Sequence, residues 1–168
     1  MRGPVSRFAA GAVALSLATA LALADARKDC YERSGDAAIR ACSEAIERNP
    51  KDVESFINRA FEYSQKGDFA PAISDYTKAI ELDPSRWDSF QGRAWAYLKT
   101  GKAAAGLVDA QRSLQIRPDA AQTLDTRAHI YEALGRREEA IADYRRALAI
   151  EPRLQGSREG LRRMGVLQ

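Results

Sequence analysis

Apolar residues are distributed along this chain in two different ways. From Phe8 to Ala24 they dominate a run with no charged side chain, rich in Ala, Leu and Val, placed behind Arg2 and Arg7. From Asp25 onward they recur every three or four positions among charged and polar residues, the spacing of amphipathic helices. A positive start, an apolar middle and the small-residue exit Ala22-Leu23-Ala24 are the parts of a secretory signal peptide, with cleavage expected after Ala24. A retained anchor is the alternative, because roughly 17 apolar residues can cross a bilayer. Polar Ser16 and Thr19 and the small exit favour cleavage. Cys30 follows Arg27-Lys28-Asp29 rather than small apolar residues, which argues against lipidation.

The second pattern repeats. Pro50, Pro84, Pro118 and Pro152 recur at one constant interval, and the same period holds for Gly67, Gly101 and Gly135 and for Tyr63, Tyr97 and Tyr131. It holds again for Ala60, Ala94 and Ala128, for Arg59, Arg93 and Arg127, and for Asp75, Asp109 and Asp143. Within one period the spacing predicts two helices. Phe56, Ala60 and Tyr63 share one face, and Ala72, Ile73, Tyr76, Ala79 and Ile80 share a second. Gly67 sits where the first helix must stop, Asp68 is the expected N-cap of the next, and Pro84 lies beyond its end. Small residues (Ala60, Ala72, Ala79) allow close approach, while Phe56, Tyr63 and Tyr76 fill the space between. Such a hairpin leaves an outer face that needs another hairpin against it.

The spacing Phe56, Ala60, Tyr63, Ala72, Tyr76, Ala79, Pro84 resembles the tetratricopeptide repeat, as do Phe90 to Pro118 and Leu124 to Pro152. The pairing of Asn58-Arg59-Ala60 with Asp75-Tyr76 is similar to exported bacterial members. The resemblance implies an all-α, right-handed superhelical solenoid of antiparallel hairpins. Its expected parts are a signal peptide (1–24), a truncated N-terminal half unit (25–52), three full units (53–86, 87–120, 121–154) and a capping helix (155–168). In that cap Leu161 points inward and Arg158, Arg162 and Arg163 outward. The middle unit departs from the pattern at Gly106, Ala110 and Ser113. Either Trp87 or Trp95 takes the volume of the missing ring, or this hairpin is the loosest. Cys30 lies on the short first helix and Cys42 at the position of Tyr76, so an exported chain should join Cys30 to Cys42. Free thiols or an intermolecular bridge are the alternatives.

The resemblance also implies that the first helix of each hairpin lines a concave groove. Glu54, Ile57, Phe61, Ser64 and Gln65 would face it from the first unit, and Asp88, Gln91, Trp95, Leu98 and Lys99 from the second. Gln122, Asp125, His129, Glu132 and Ala133 would do so from the third. Phe61, Trp95 and His129 form one column of rings suited to a peptide's apolar anchors, or they only pack against neighbouring hairpins. The acids Glu54, Asp88, Asp125 and Glu132 would favour basic segments. Relatives that hold a terminal carboxylate with Lys, Arg and Asn have Asn where this chain has Phe61, which disfavours that activity. Arg59, Arg93 and Arg127 precede Asp75, Asp109 and Asp143 by one constant offset. They are expected to form ion pairs within or between hairpins, the alternative being independent surface charges.

Composition narrows the function further. At 168 residues, 45% apolar, the chain suits one domain or one short array. Losing residues 1–24 removes Arg2 and Arg7 and no acid, leaving 24 basic residues against 23 acidic, so the net charge falls from +3 to +1. That near-neutral balance gives no footprint for nucleic acid. One histidine and two cysteines provide no metal-ligand cluster. There is no phosphate-binding glycine loop or nucleophile elbow, and Glu138-Glu139 suit a helix start rather than acid–base work. The reading is therefore a non-enzymatic, cofactor-free protein-interaction module. It would be periplasmic or secreted, without a membrane span after cleavage, and would bind another protein's peptide or helix. A self-associating module, such as a homodimer, is the alternative.

Overall fold

The structure is a computed structural model that describes residues 25–167; the signal segment expected over 1–24 lies outside the described residues. Those residues form helices joined by short turns: α1 (25–32), α2 (Gly35–Arg48), α3 (Val53–Lys66), α4 (Phe69–Leu82), α5 (Trp87–Lys99), α6 (Ala103–Ile116), α7 (Ala121–Ala133), α8 (Arg137–Ile150) and α9 (Gln155–Arg163). From α2 to α9, consecutive helices pack against one another. In addition α3 meets α5, α5 meets α7 and α7 meets α9, whereas α2, α4, α6 and α8 do not meet each other. The first helices therefore line the inside of the curve and the second helices its outside. The result is an all-α superhelical array. Among the described residues, no helix is long and apolar enough to cross a membrane.

Each hairpin closes in the same way. Gly67 adopts φ 82° at the end of α3, and the Asp68 N–H donates to the Tyr63 carbonyl at 2.9 Å. Lys102 and Arg136 repeat that bond to Tyr97 and Tyr131, both at 2.8 Å, behind Gly101 and Gly135. A side chain at such a left-handed position would cost about 1 kcal/mol. Asp68 occupies the N-cap position, but its carboxylate caps no N–H. Its ψ of 65° lies outside the extended range from which a capping side chain reaches back.

Hairpins stack by pairing a large residue with a small one at a fixed offset along the chain. A Cβ on Gly92 would lie 2.2 Å from the Tyr76 ring, and one on Gly160 would lie 2.3 Å from the Tyr144 ring. The middle unit reverses the sizes, with Ala110 followed by Thr126. The volume freed there is taken by Ile130, buried with Ala94 and Ala110. Neither tryptophan fills it: Trp87 packs against Leu114, Ala120, Leu124 and Ala147, and Trp95 meets His129. Nor is this hairpin loose. A Cβ on Gly106 would come within 2.8 Å of the Ala94 carbonyl, so α5 and α6 are in close contact. Ser113 donates to the Trp87 carbonyl at 2.9 Å and shares a 3.0 Å hydrogen bond with Thr123 on the next hairpin.

Both ends are closed by short elements. At the N-terminus a disulfide joins buried Cys30 and Cys42, and Asn58 of α3 donates to the Cys30 carbonyl at 3.1 Å. At the C-terminus α9 sits as the first helix of a unit that has no second helix among the described residues. Ser157 continues the fully buried column Ser55, Ser89, Thr123 at the same repeat interval. Leu161 is buried, Arg162 and Arg163 are exposed, and Arg158 is partly covered.

Candidate interaction groove

The repeated arginines brace the array from within. Arg59, Arg93 and Arg127 each donate Nε and Nη2 to both oxygens of Asp75, Asp109 and Asp143, at 2.6–2.9 Å. Each pair joins the two helices of its own hairpin. The aspartates are buried, and the hydrogen bond donated to the carboxylate raises each guanidinium's already high pKa. Arg59 and Arg93 also reach back to the preceding hairpin through Nη1, to Ser43 at 2.9 Å and to Thr77 at 3.0 Å.

On the inside of the curve lies a cavity of about 370 Å³. Phe61, Ser64 and Gln65 of α3 line one side, Gln91, Gly92 and Trp95 of α5 the middle, and Gln122, Asp125 and Thr126 of α7 the other side, with Tyr76 as floor and Leu154 at the edge. Phe61 is 50% exposed. Gln91 is oriented by donating to Thr126 Oγ1 at 3.1 Å. Tyr76, Gly92 and Thr126 are absent from the groove expected on sequence. Their signal was the large-to-small pairing at a fixed offset, which puts the Tyr76 ring beneath Gly92 and hence at the groove.

Other expected groove residues point elsewhere. Ile57 packs against Ala60, Ala72 and Tyr76, and Leu98 against Ala94, Ala110 and Ile130, inside the hairpins. Burial of their apolar surface outweighs display. His129 turns inward too. Its ring is perpendicular to Trp95 at 5.9 Å and to Tyr144 at 5.1 Å, and Nδ1–H donates to the Asp125 carbonyl at 2.9 Å. The ring series is therefore Trp95–His129–Tyr144, running into the core, and Phe61 stands apart from it. Lys99 covers one face of Trp95, with Nζ 4.4 Å from the ring centre.

The groove is not acidic in effect. Arg86 binds Glu54 and also Asp88, the latter at 2.6 and 3.0 Å. Glu132 receives Arg163 of α9 at 2.9 and 3.1 Å and the Tyr144 hydroxyl at 2.8 Å. Asp125 accepts from Ser157 at 2.6 Å, and burial raises its pKa. The preference for basic segments expected from these acids loses its support, because each acid is already engaged within the chain.

Glu132 makes the docking of α9 depend on pH. The bond from Arg163, then that from Tyr144, holds its carboxyl below the ordinary glutamate value of 4.5, against burial. A depressed folded value means the contribution is complete above pH 4.5 and is lost as pH falls through the folded value. Asp125 acts in the opposite sense, since protonation relieves its burial. We expect the docked fraction of α9, followed by the methyl shifts of Leu161 and Met164, to fall below about pH 4.5. In Glu132→Gln it should start lower and vary less. Identical pH profiles for the two proteins would reject this role.

A stack of helical hairpins around a concave cavity lined mainly by uncharged side chains is the architecture of a protein-interaction solenoid. Tetratricopeptide repeat models match residues 53–86 and 121–154, and the chain is a tetratricopeptide repeat protein. It is similar in structure to MamA (20% identity, TM-score 0.71, 88% of this chain and 83% of that one). It is likewise similar to TTC0263, a thermophilic repeat protein of the same family in Thermus thermophilus (23% identity, TM-score 0.71, 78% and 75%). A third similar structure is the first such domain of Spaghetti (RPAP3) bound to the HSP90 peptide SRMEEVD (26% identity, TM-score 0.64, 68% and 91%). No curated protein matches the sequence.

Proposed function

We propose that this protein works as an exported interaction module whose concave cavity takes an extended segment of a partner protein through an uncharged, apolar or aromatic anchor. One observation carries the reading: the cavity of about 370 Å³ is bounded by Phe61, Trp95 and Tyr76 and rimmed by Ser64, Gln65, Gln91 and Gln122, and its single charged residue, Asp125, is already hydrogen-bonded. Aromatic surface supplies the binding energy on desolvation. The rim amides pair with the backbone of an extended chain. Peptide binding by the RPAP3 domain supports a protein ligand in general. An acidic tail like that peptide's lacks a free lysine or arginine among the lining residues here. Export is supported by the signal pattern over 1–24 and by the disulfide.

Indole N–H resonances separate Trp95 from Trp87, which packs at a hairpin junction. Titration with short neutral peptides bearing Leu, Phe or Trp should shift Trp95 and not Trp87, and Phe61→Ala should weaken binding about tenfold or more. Tight binding of an acid-terminated peptide, with none from the apolar ones, would reject the proposed selectivity. A concentration-dependent dimer that protects Trp95 would favour self-association instead.

A further inference from the structure

The internal bonding of the repeat changes at one place. In the first two full units the arginine uses all three nitrogens, two on the aspartate of its own hairpin and Nη1 on a hydroxyl of the preceding second helix. Those hydroxyls, on Ser43 and Thr77, stand one repeat period apart. The next position in that column is Gln111. Arg127 still holds Asp143 through Nε and Nη2, at 2.6 and 2.9 Å, but its Nη1 has no acceptor among the described residues. The side chain as a whole is only 18% exposed, but its unpaired Nη1 is not buried and so is within reach of a ligand.

Arg127 lines a cavity of about 470 Å³ on the second-helix side of the array, together with Gln111, Leu114, Gln115, Pro118 and Arg146. Arg146 donates Nη2 to the Pro118 carbonyl at 2.8 Å, which ties its guanidinium to the cavity wall and leaves its other donors uncommitted. Gln115 accepts from Arg112 through its carbonyl oxygen at 3.2 Å, so its amide N–H groups remain for a ligand. No lining residue is an acid. Asp143 offsets Arg127, and the lining retains the charge of Arg146.

We propose that this cavity binds a small oxyanion, a carboxylate or a phosphate, held by Arg127 Nη1 and Arg146 with the side-chain amides of Gln111 and Gln115. Planar guanidinium donors match the paired oxygens of both groups, and charge-assisted bonds of this kind are stronger than neutral ones. The ligand's oxygen replaces the hydroxyl that Ser43 and Thr77 supply in the earlier units. The site shares no lining residue with the concave groove, so it stands or falls independently of peptide binding.

The repeat itself supplies the decisive variant. Gln111→Thr places at Arg127 the hydroxyl that Thr77 offers to Arg93, which closes the site while reproducing a bond the fold already tolerates. Inorganic phosphate and acetate are titrated separately at constant ionic strength, following the Nε–H signals of Arg127 and Arg146 and the side-chain amides of Gln111 and Gln115. We expect saturable shifts in the wild type with at least one anion. Gln111→Thr and Arg146→Gln should each weaken binding about tenfold, the loss of one charge-assisted bond. Saturation with phosphate alone identifies a phosphate ligand, and saturation with acetate as well identifies carboxylates as ligands. Linear, non-saturating shifts with both anions, or unchanged binding in both variants, would overturn the proposal.

Discussion

Replacing Asp109 with alanine should destabilise the array by about 3 kcal/mol, far more than a surface ion pair contributes. Arg93 cannot shed its charge, and its side chain is only 17% exposed, beside an aspartate at 7%. Without Asp109, Nε and Nη2 lose both acceptors and the charge is left largely uncompensated. The low end of the range for broken buried pairs applies, because part of the guanidinium still meets water. Arg93→Ala should cost a similar amount, as it abandons the Asp109 carboxylate and the Thr77 hydroxyl. The double variant should lose clearly less than the sum of the two, a coupling readable from denaturant unfolding at neutral pH. Additive losses would mean that the two charges act independently.

Removing the disulfide, with Cys30→Ala and Cys42→Ala together, should cost about 3 kcal/mol in the chain-entropy view, since a closed loop of this length restrains the unfolded chain. The loss should be local. Helix α1 covers only about two turns among the described residues, too short to hold alone. What remains to dock it includes the Asn58 bond to the Cys30 carbonyl, the Arg27–Asp52 pair at 2.9 Å and buried Ala26. Hydrogen exchange should therefore rise over 25–34 and along α2, with protection of α5 to α8 nearly unchanged. Neighbour-only coupling in a linear stack has that consequence. An unchanged unfolding midpoint, or uniform loss of protection across all helices, would contradict it.

Much of this architecture was legible in the sequence because its causes are local and repeated. A glycine at the left-handed turn, tyrosines whose carbonyls receive the closing bond, and alanines at helix contacts each recur once per period. The arginine and aspartate columns also recur, and a constant offset between them brings them face to face across one hairpin. Departures were harder to interpret. Gly106, Ala110 and Ser113 looked like defects in the middle unit. They are compensated by Ile130, on the first helix of the next hairpin, and by Thr123, whose hydroxyl meets Ser113. Pattern matching within one unit does not see a partner in the next.

The sequence by itself determined the helices, their turns and the repeat, because backbone conformation and apolar periodicity act over a few residues. Tertiary packing alone decided the character of the groove. Ile57 and Leu98 rotate into the core, and His129 is drawn inward by Trp95, Tyr144 and the Asp125 carbonyl. Arg86, in the turn before α5, and Arg163, on the capping helix, neutralise Glu54 and Glu132, acids far from them in sequence. Charge on a surface depends on which opposite charge lies within a few ångströms, and that distance is set by how hairpins stack, not by spacing along the chain.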